Sequence, residues 1–590
     1  MRTASNGRMA AEDAINRARK EEARRIGPGR RPGGYVTAMV TPATPASARQ
    51  SFATWRAALT SWWDDDPHLA SLLRHHRPDG ADVDALRAFA AVSAGLIDRL
   101  AIETNRDEHL PALRRWDGHG NRIEEVVFHP DYHTIGRAVY RSGVMSRYAA
   151  PGRELETLGL VYLLAQDGEG GHCCPLACTA GMIKILQASG AHPEWLERLY
   201  DPDYDTHFHA SQFLTEVQGG SDVGANTLVA TEGVAGWTVT GEKWFCSVID
   251  AHLFLVTARP DGAAAGTPGL RTFVVPRQLP GGGVNHFEIR RLKYKLGTRS
   301  MASAEVDFRG AVAMPVGDFR RTVEIVLNTS RLYNAICASG LLQRAWREAD
   351  GYARARVAFG QPILAFPSIA RTVARLKVEA YAARSVSFHL AATSDTALSD
   401  PAWRMLVNLN KIWTAQTCPA GMRDAIEVLG GNGAIEDFSV LPRLLRDSLV
   451  LEQWEGGHGV LCAQVLRDAK KLRLHEPMFA TLTALAGSDT AITPRLADAR
   501  ARWERLLALP EADAAAHIRD LVEELRPVAQ ASALAAEARR PDADPLLPVV
   551  IEHLLATSRR GWDPLDDTGL GTRIAALTAP VPAPDPVPAV

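Results

Sequence analysis

The chain changes hydrophobic period twice, and that order restricts its fold more than any other feature. From about Ser51 to Leu199, Leu, Ala, Trp and Arg recur at three- and four-residue spacing, the pattern of helices with one buried face. Around Phe213 the texture changes. The runs "LVATEGVAGWTVTGEKWFCSVIDAHLFLVTA", "LRTFVVP" and "SAEVDFRG" are β-branched and aromatic, broken by Gly-containing turns, and predict a compact β unit over roughly 206–315. After Gly317 long helical patterns return in "TVEIVLNTSRLYNAICASGLLQRAWREADGYARAR", "SIARTVARLKVEAYAARSVSFHLAA" and "RMLVNLNKIWTAQTCPAGMRDAIEVL". Helices this long, joined by short loops, predict a bundle.

The expected organisation of this α+β chain follows. A disordered, Arg-rich N-terminal arm takes 1–50, an N-terminal helical domain 51–205 and a central β domain 206–315. A C-terminal helical bundle takes 316–475, an additional helical region 476–578 and a Pro-rich tail 579–590.

Composition narrows the class without naming a reaction. With 46% hydrophobic and 23% charged residues the balance is that of a soluble globular protein. A formal net charge of −2 supplies no global basic field for nucleic acid or acidic lipid. No apolar run approaches the roughly 18 residues that cross a bilayer, and the first 35 residues lack the apolar core of a secretion signal. Seven thinly spread cysteines suit a reducing compartment, so a cytoplasmic location is expected.

Several short stretches carry candidate chemistry beside plainer readings. In "FLTEVQGGSDVGANT" Thr215 and Ser221 offer hydroxyls, and Gly219 and Gly220 allow backbone amides to approach a ligand; a Gly-rich turn with incidental polar residues reads the same way. In "GEKWFCS" Phe245 can stack on a ring and Ser247 can donate a hydrogen bond, or both are half-buried strand residues. "RVAFGQP" ends a long helix, where Arg356 either pairs with a phosphate or serves as the usual C-terminal cation. "EVLGGNGAI" ends another, with Gly430, Gly431 and Gly433 forming a C-cap or a close approach to a ligand. "HCCPLAC" (His172, Cys173, Cys174, Cys178) has no second Cys/His pair at finger-like spacing, so buried thiols and no metal are expected. His207 and His209 are expected to pack or hydrogen-bond rather than ligate.

Taken in order, "LTEVQGGSD", "GEKWFCS", "RVAFGQP", "EVLGGNG" and "WEGG" resemble the flavin and active-site segments of acyl-CoA dehydrogenases. "RWDGHGNRIEEVVFHPDYH", from Arg115, and "RLKYKLGTRSMASAEVDF", from Arg291, resemble the AidB-like subgroup, and the similarity covers roughly residues 100–470. The resemblance implies an acyl-CoA dehydrogenase-like fold: N-terminal helical domain, central β-barrel-like domain, C-terminal four-helix bundle and, here, an extra helical C-terminal region. It implies non-covalent FAD at a subunit interface of a homotetramer. Leu214, Thr215 and Ser221 would line the isoalloxazine, and Phe245 and Ser247 would continue that wall. Arg356 and Phe359 would meet the diphosphate and adenine from a neighbouring subunit. Glu427, Gly430, Gly431 and Gly457 would make the remaining cofactor contacts, and Ser221 and Arg331 are the expected substrate contacts. The family more often carries Gln at the position of Glu427.

Glu455 in "WEGGHGVLC" falls where many members of the family place their catalytic base. Removing the α-proton of a thioester calls for a carboxylate held in a largely apolar pocket, weakly solvated and closely aligned. The backbone amide of Glu455 and a ribityl hydroxyl would serve the thioester oxygen. The alternative base position, two residues before Arg331, is Thr329, which is no carboxylate. Gly457 stands where Ser or Thr usually follows "EG". The expected substrate is an acyl-CoA or acyl-carrier-protein thioester, with an electron-transfer flavoprotein as the family's default acceptor. The alternative is a DNA-associated flavoprotein of the alkylation response with weak dehydrogenase activity. From Glu476 onward, however, 17 Asp/Glu stand against 11 Arg and no Lys, a net of −6, so nucleic acid is not an expected partner.

Overall fold

The structure, a computed structural model, describes residues 45–557 apart from 58, 65, 79, 81, 398 and 399. The Pro-rich tail and most of the expected N-terminal arm lie outside the described residues. One element corrects the arm's boundary: a helix spans Pro45–Ala57 and so begins inside the stretch assigned to the arm. Its anchors are aromatic. Phe52 stacks on Tyr352 at 6.1 Å between ring centroids, and Trp55 stacks on Phe438 at 5.6 Å. Aromatic burial of this kind outweighs a Pro- and Ser-rich composition.

The N-terminal unit is mostly helical, as its period predicts. Glu154–Ala165 is buried on every side, and its run "LGLVYLLA" carries no polar face to present to water. It packs against Asn328–Ala355, the central helix of the bundle. The helical reading misses a hairpin, in which Ala112–Trp116 pairs antiparallel with Arg122–Val127. Asp117 shapes the turn: its Oδ1 accepts from the amides of His119 and Asn121, each at 2.8 Å.

The β unit closes on itself. Leu253–Pro260 pairs with Val229–Gly233, that strand with Gly236–Ser247, then Ser303–Asp318, then Arg271–Pro276, which returns to Leu253–Pro260. Ala210–Phe213 adds in parallel to Leu253–Pro260, and Phe287–Leu292 pairs with Ser303–Asp318. A five-stranded ring leaves its members no free edge, and Phe254, Phe273, Phe287 and Phe308 fill its core.

Asn328–Ala355, Pro367–Ala397 and Pro401–Leu429 pack on one another, joined by Leu441–Leu451 and His458–Leu472. The extension adds His475–Ala486, Thr493–Ala508, Glu511–Ala538 and Leu547–Ala556. Glu511–Ala538 lies along the bundle, where Val522 O accepts from the Trp413 indole at 2.8 Å. A buried polar network fastens it further. The Arg384 guanidinium pairs with Asp66 and donates to Tyr162 OH at 2.6 Å and His68 Nδ1 at 2.6 Å. Because Nδ1 accepts from Arg384, the neutral ring carries its proton on Nε2, which donates to Glu537 Oε2 at 2.8 Å. Burial holds the His68 ring neutral, its pKa well below the ordinary value.

Candidate active site

Glu455 lies in the turn between Leu441–Leu451 and His458–Leu472, with φ +55°, followed by Gly456 at φ +106°. A left-handed backbone is unusual for glutamate and persists where its surroundings dictate it. Here the carbonyls of the turn are captured one by one from the bundle. Asn334 Nδ2 donates to Leu451 O at 3.0 Å, and Lys411 Nζ to Glu452 O at 2.9 Å and Gly456 O at 2.8 Å. Arg331 Nε donates to Glu455 O at 3.3 Å. The rest of the Arg331 guanidinium is held by Asn408 Oδ1 at 2.6 Å, Asn328 Oδ1 at 3.2 Å and Gln464 Oε1 at 3.1 Å.

The side chain of Glu455, half-buried, lines a cavity that opens to solvent, about 560 Å³ with that open space counted in. One wall is a single face of the central bundle helix: Ser330, Tyr333, Asn334, Cys337 and Leu341. Ala165, Cys173, Cys174, Ala177 and Cys178 face it, and Leu451 and Trp454 close the side next to Glu455. Glu169, Thr298 and Asp447 also line it. Glu455 Oε2 accepts from Asn334 Nδ2 at 3.3 Å. Burial pushes the carboxyl up to about 7, against the opposing pull of the Lys411 ammonium, the Asn334 hydrogen bond and the Arg331 guanidinium. Burial brings Lys411 down to about 8 and Arg331 down to about 10. Thr329, at the alternative base position, is fully buried, and its hydroxyl has no partner among the described residues.

The β unit meets this cavity directly. Gln212, on the strand Ala210–Phe213, donates to Ser330 Oγ at 2.9 Å, and Trp454 packs against both the helical core and the β core. Leu214 and Thr215 follow that strand, and Trp244 N donates to Thr215 O at 2.9 Å. This joins the Gly-rich loop to Gly236–Ser247, the strand that bears Phe245 and Ser247. Ser247 shares a hydrogen bond with Ser303 at 3.0 Å, Ser221 is exposed, and Phe245 is 56% exposed.

Of the expected site residues Glu455 lines the cavity; Leu214, Thr215, Ser221, Phe245, Ser247, Arg331, Arg356, Phe359, Glu427, Gly430, Gly431 and Gly457 do not. Arg356 caps Asn328–Ala355 and lies over the Phe52 ring at 5.7 Å, and Phe359 is almost wholly exposed at φ +50°. Gly430, at φ +62°, ends Pro401–Leu429; the nearby Asn432 donates to Tyr352 OH at 3.1 Å, so the two glycine- and arginine-bearing loops share one end of the central helix. The cysteines of "HCCPLAC" are buried and free, as is every other cysteine. His207 and His209 pack with Tyr140, and the His209 ring bonds Tyr140 OH at 2.9 Å.

Sequence reasoning missed Lys411, Asn334, Asn408 and Gln464. Only Lys411 left a signal: a lone cation in the apolar stretch "NLNKIWT" of a buried helix.

Comparison with known proteins agrees with this geometry. Residues 56–206 match the AidB N-terminal domain of the adaptive response protein, 211–311 the acyl-CoA dehydrogenase middle domain and 319–470 the acyl-CoA dehydrogenase C-terminal domain. The chain is 30% identical over 440 residues to acyl-CoA dehydrogenase family member 11 of Caenorhabditis elegans, covering 69% of this chain and 70% of that protein. It is 30% identical over 415 residues to AidB of Escherichia coli, covering 66% of this chain and 75% of the relative. The solved structure of C. elegans ACDH-11 in complex with C11-CoA superimposes with a TM-score of 0.76, at 22% identity, across 93% of this chain and 97% of that one. A helical domain of AidB type, a closed β unit and a helical bundle, in that order and with those matches, make this chain a member of the acyl-CoA dehydrogenase family, whose cofactor is FAD.

Proposed function

We propose that the protein is an FAD-dependent dehydrogenase of acyl thioesters in which Glu455 is the base. The observation that carries this reading is the Glu455 carboxylate, pushed up to about 7 by burial and lining, with Glu169 and Asp447, a cavity otherwise walled largely by small and apolar side chains. A base with that pKa is ionised in part near neutrality and still retains the affinity to take a carbon-bound proton.

The chain's own residues fit the cofactor. Gly219, at φ +123°, and Gly431 have nothing within 4 Å of the position a Cβ would take, leaving bare backbone beside polar loops. Phe245 presents an exposed ring on the strand that Trp244 N ties to Thr215 O, and with Leu214, Thr215, Ser221 and Ser247 it would make a wall suited to a planar aromatic system with polar edges. When bound, FAD supplies the two-electron acceptor for the hydride leaving the β-carbon. Everything else falls to the protein: Glu455 takes the α-proton, its backbone N–H meets the thioester oxygen, and the apolar walls exclude water. Arg331 acts through the turn it holds, rather than by touching substrate. Arg356, Phe359, Glu427, Gly430 and Gly431, gathered at the other end of the central helix, would serve the diphosphate and adenine across a subunit interface of a homotetramer. An electron-transfer flavoprotein would reoxidise the enzyme. No described helix is long and apolar enough to cross a membrane.

Anaerobic titration with saturated acyl-CoAs tests this. The relative of the same fold was solved with C11-CoA, so that thioester is the first probe. The visible flavin absorbance should fall with stoichiometric addition; tight binding without bleaching across the panel would leave a thioester-binding scaffold and remove the enzyme. The sign of the pH dependence is fixed as well. Only ionised Glu455 is a base, so the first-order bleaching rate should climb as pH rises through about 7 and then level off. A rate flat between about pH 6 and about pH 8 would contradict the assignment.

A further inference from the structure

Lys411 has no exposed surface and lies on the buried side of the bundle helix Pro401–Leu429. Removing an ammonium from water is costly, and among the described residues two other buried lysines, Lys243 and Lys184, recover that cost through direct ion pairs. Lys243 Nζ sits 2.9 Å from Glu216 Oε1, and Lys184 Nζ sits 2.5 Å from Glu154 Oε2. Lys411 is arranged differently. Its two hydrogen bonds go to main-chain carbonyls, Glu452 O and Gly456 O, which bracket Glu455 on either side. Among the described residues it forms no ion pair of its own.

We propose that Lys411 is the positioning residue of the base: it clamps both ends of the turn that carries Glu455 and supplies an unneutralised cation that favours the ionised carboxylate. This rests on the reading of Glu455 given above. The arrangement solves a specific problem. A lysine bonded to the carboxylate itself would occupy the oxygens needed for the α-proton. A cation held one residue away, on the backbone, acts on the carboxylate through a medium of low dielectric and leaves its oxygens available. The clamp also explains why Glu455 keeps its left-handed backbone: the carbonyls at 452, 455 and 456 all point to cations on the bundle.

Other charges act on the same group. Glu452 and His458 flank Lys411 from the turn and the helix that follows, and bond each other at 3.2 Å. Arg331 faces it from the central helix and is itself surrounded by Asp468, Arg404 and Arg467. Arg331 and Lys411 are both cations near Glu455, so losing Lys411 leaves one of the two in place and predicts a partial effect.

The test compares Lys411→Met, Lys411→Arg, Glu455→Gln and the parent as holoenzymes. Anaerobic rapid mixing with C11-CoA across a pH series gives the apparent pKa of the bleaching rate. Infrared titration of the resting holoenzyme, differenced against Glu455→Gln, gives the ionisation of the same carboxyl without turnover. Lys411→Met should move both values upward by about one unit, with a rate at neutral pH lower by roughly five-fold. Lys411→Arg, which keeps the charge, should titrate close to the parent. A support role in folding alone would lower the amount of active enzyme and leave the titration unmoved. If Lys411→Met does not accumulate as folded protein, Lys411→Gln replaces it under the same criterion. Unchanged titration in the uncharged variant, with Glu455→Gln inactive, overturns this inference and leaves the dehydrogenase reading standing. Bleaching by Glu455→Gln at the parental rate overturns that reading instead.

Discussion

Glu455→Gln should abolish bleaching by acyl-CoA while leaving the flavin bound. The substitution keeps shape and the Asn334 contact but removes the carboxylate that, among the described residues, combines position in this turn with ionisation near neutrality. A loss on the order of a thousand-fold or more is expected in the first-order reduction rate. The same variant should gain stability at alkaline pH. A carboxyl whose folded pKa lies above its ordinary value binds its proton more tightly in the folded chain. Its contribution to stability is therefore present at low pH and lost as pH rises from about the ordinary carboxylate range through about 7. Above that window the parent buries a charge that glutamine does not carry. Urea unfolding of parent and variant should coincide near pH 5 and separate in favour of the variant near about pH 8. A parent that is the more stable of the two at the higher pH would show that Glu455 is not the strained, desolvated group described here.

Arg384→Met should destabilise the chain by about 3–5 kcal/mol, because it leaves Asp66 buried without its cation. The loss reaches three elements at once: Pro67–His76, which carries His68, the bundle helix that carries Arg384, and Glu511–Ala538, which carries Glu537. Chemical unfolding at fixed protein and flavin concentration measures it. Adding Asp66→Asn to the Met variant should recover part of the loss, since both ends of the pair are then uncharged. A double variant as unstable as the sum of the two singles would mean that Asp66 and Arg384 are not energetically coupled.

The order of units was legible because long helices and short strands impose different hydrophobic periods, and this chain keeps each period for many residues. Short elements within a unit of the other kind were not. The hairpin 112–127 holds only five and six residues per strand, with the exposed Trp116 and several charges, so its alternation is too brief to stand out from helical surroundings. The helix Pro45–Ala57 reads as an arm by composition and is decided by contacts with Tyr352 and Phe438, some 300 or more residues away. The site divides in the same way. Glu455 was legible because "WEGG" resembles the family's active-site segment, where the base stands. Its capture by Asn334 and Lys411 was not, since those partners come from two other helices and meet it only in the folded bundle.

Trp454 joins the packing of the helices to that of the strands, immediately before Glu455. A side chain shared by both interiors ties Glu455 to the seam between them, so any slippage of one unit over the other would drag that carboxylate along. The part of the cavity around Cys337 and Leu341 can thus change in size without moving Glu455 relative to the strands.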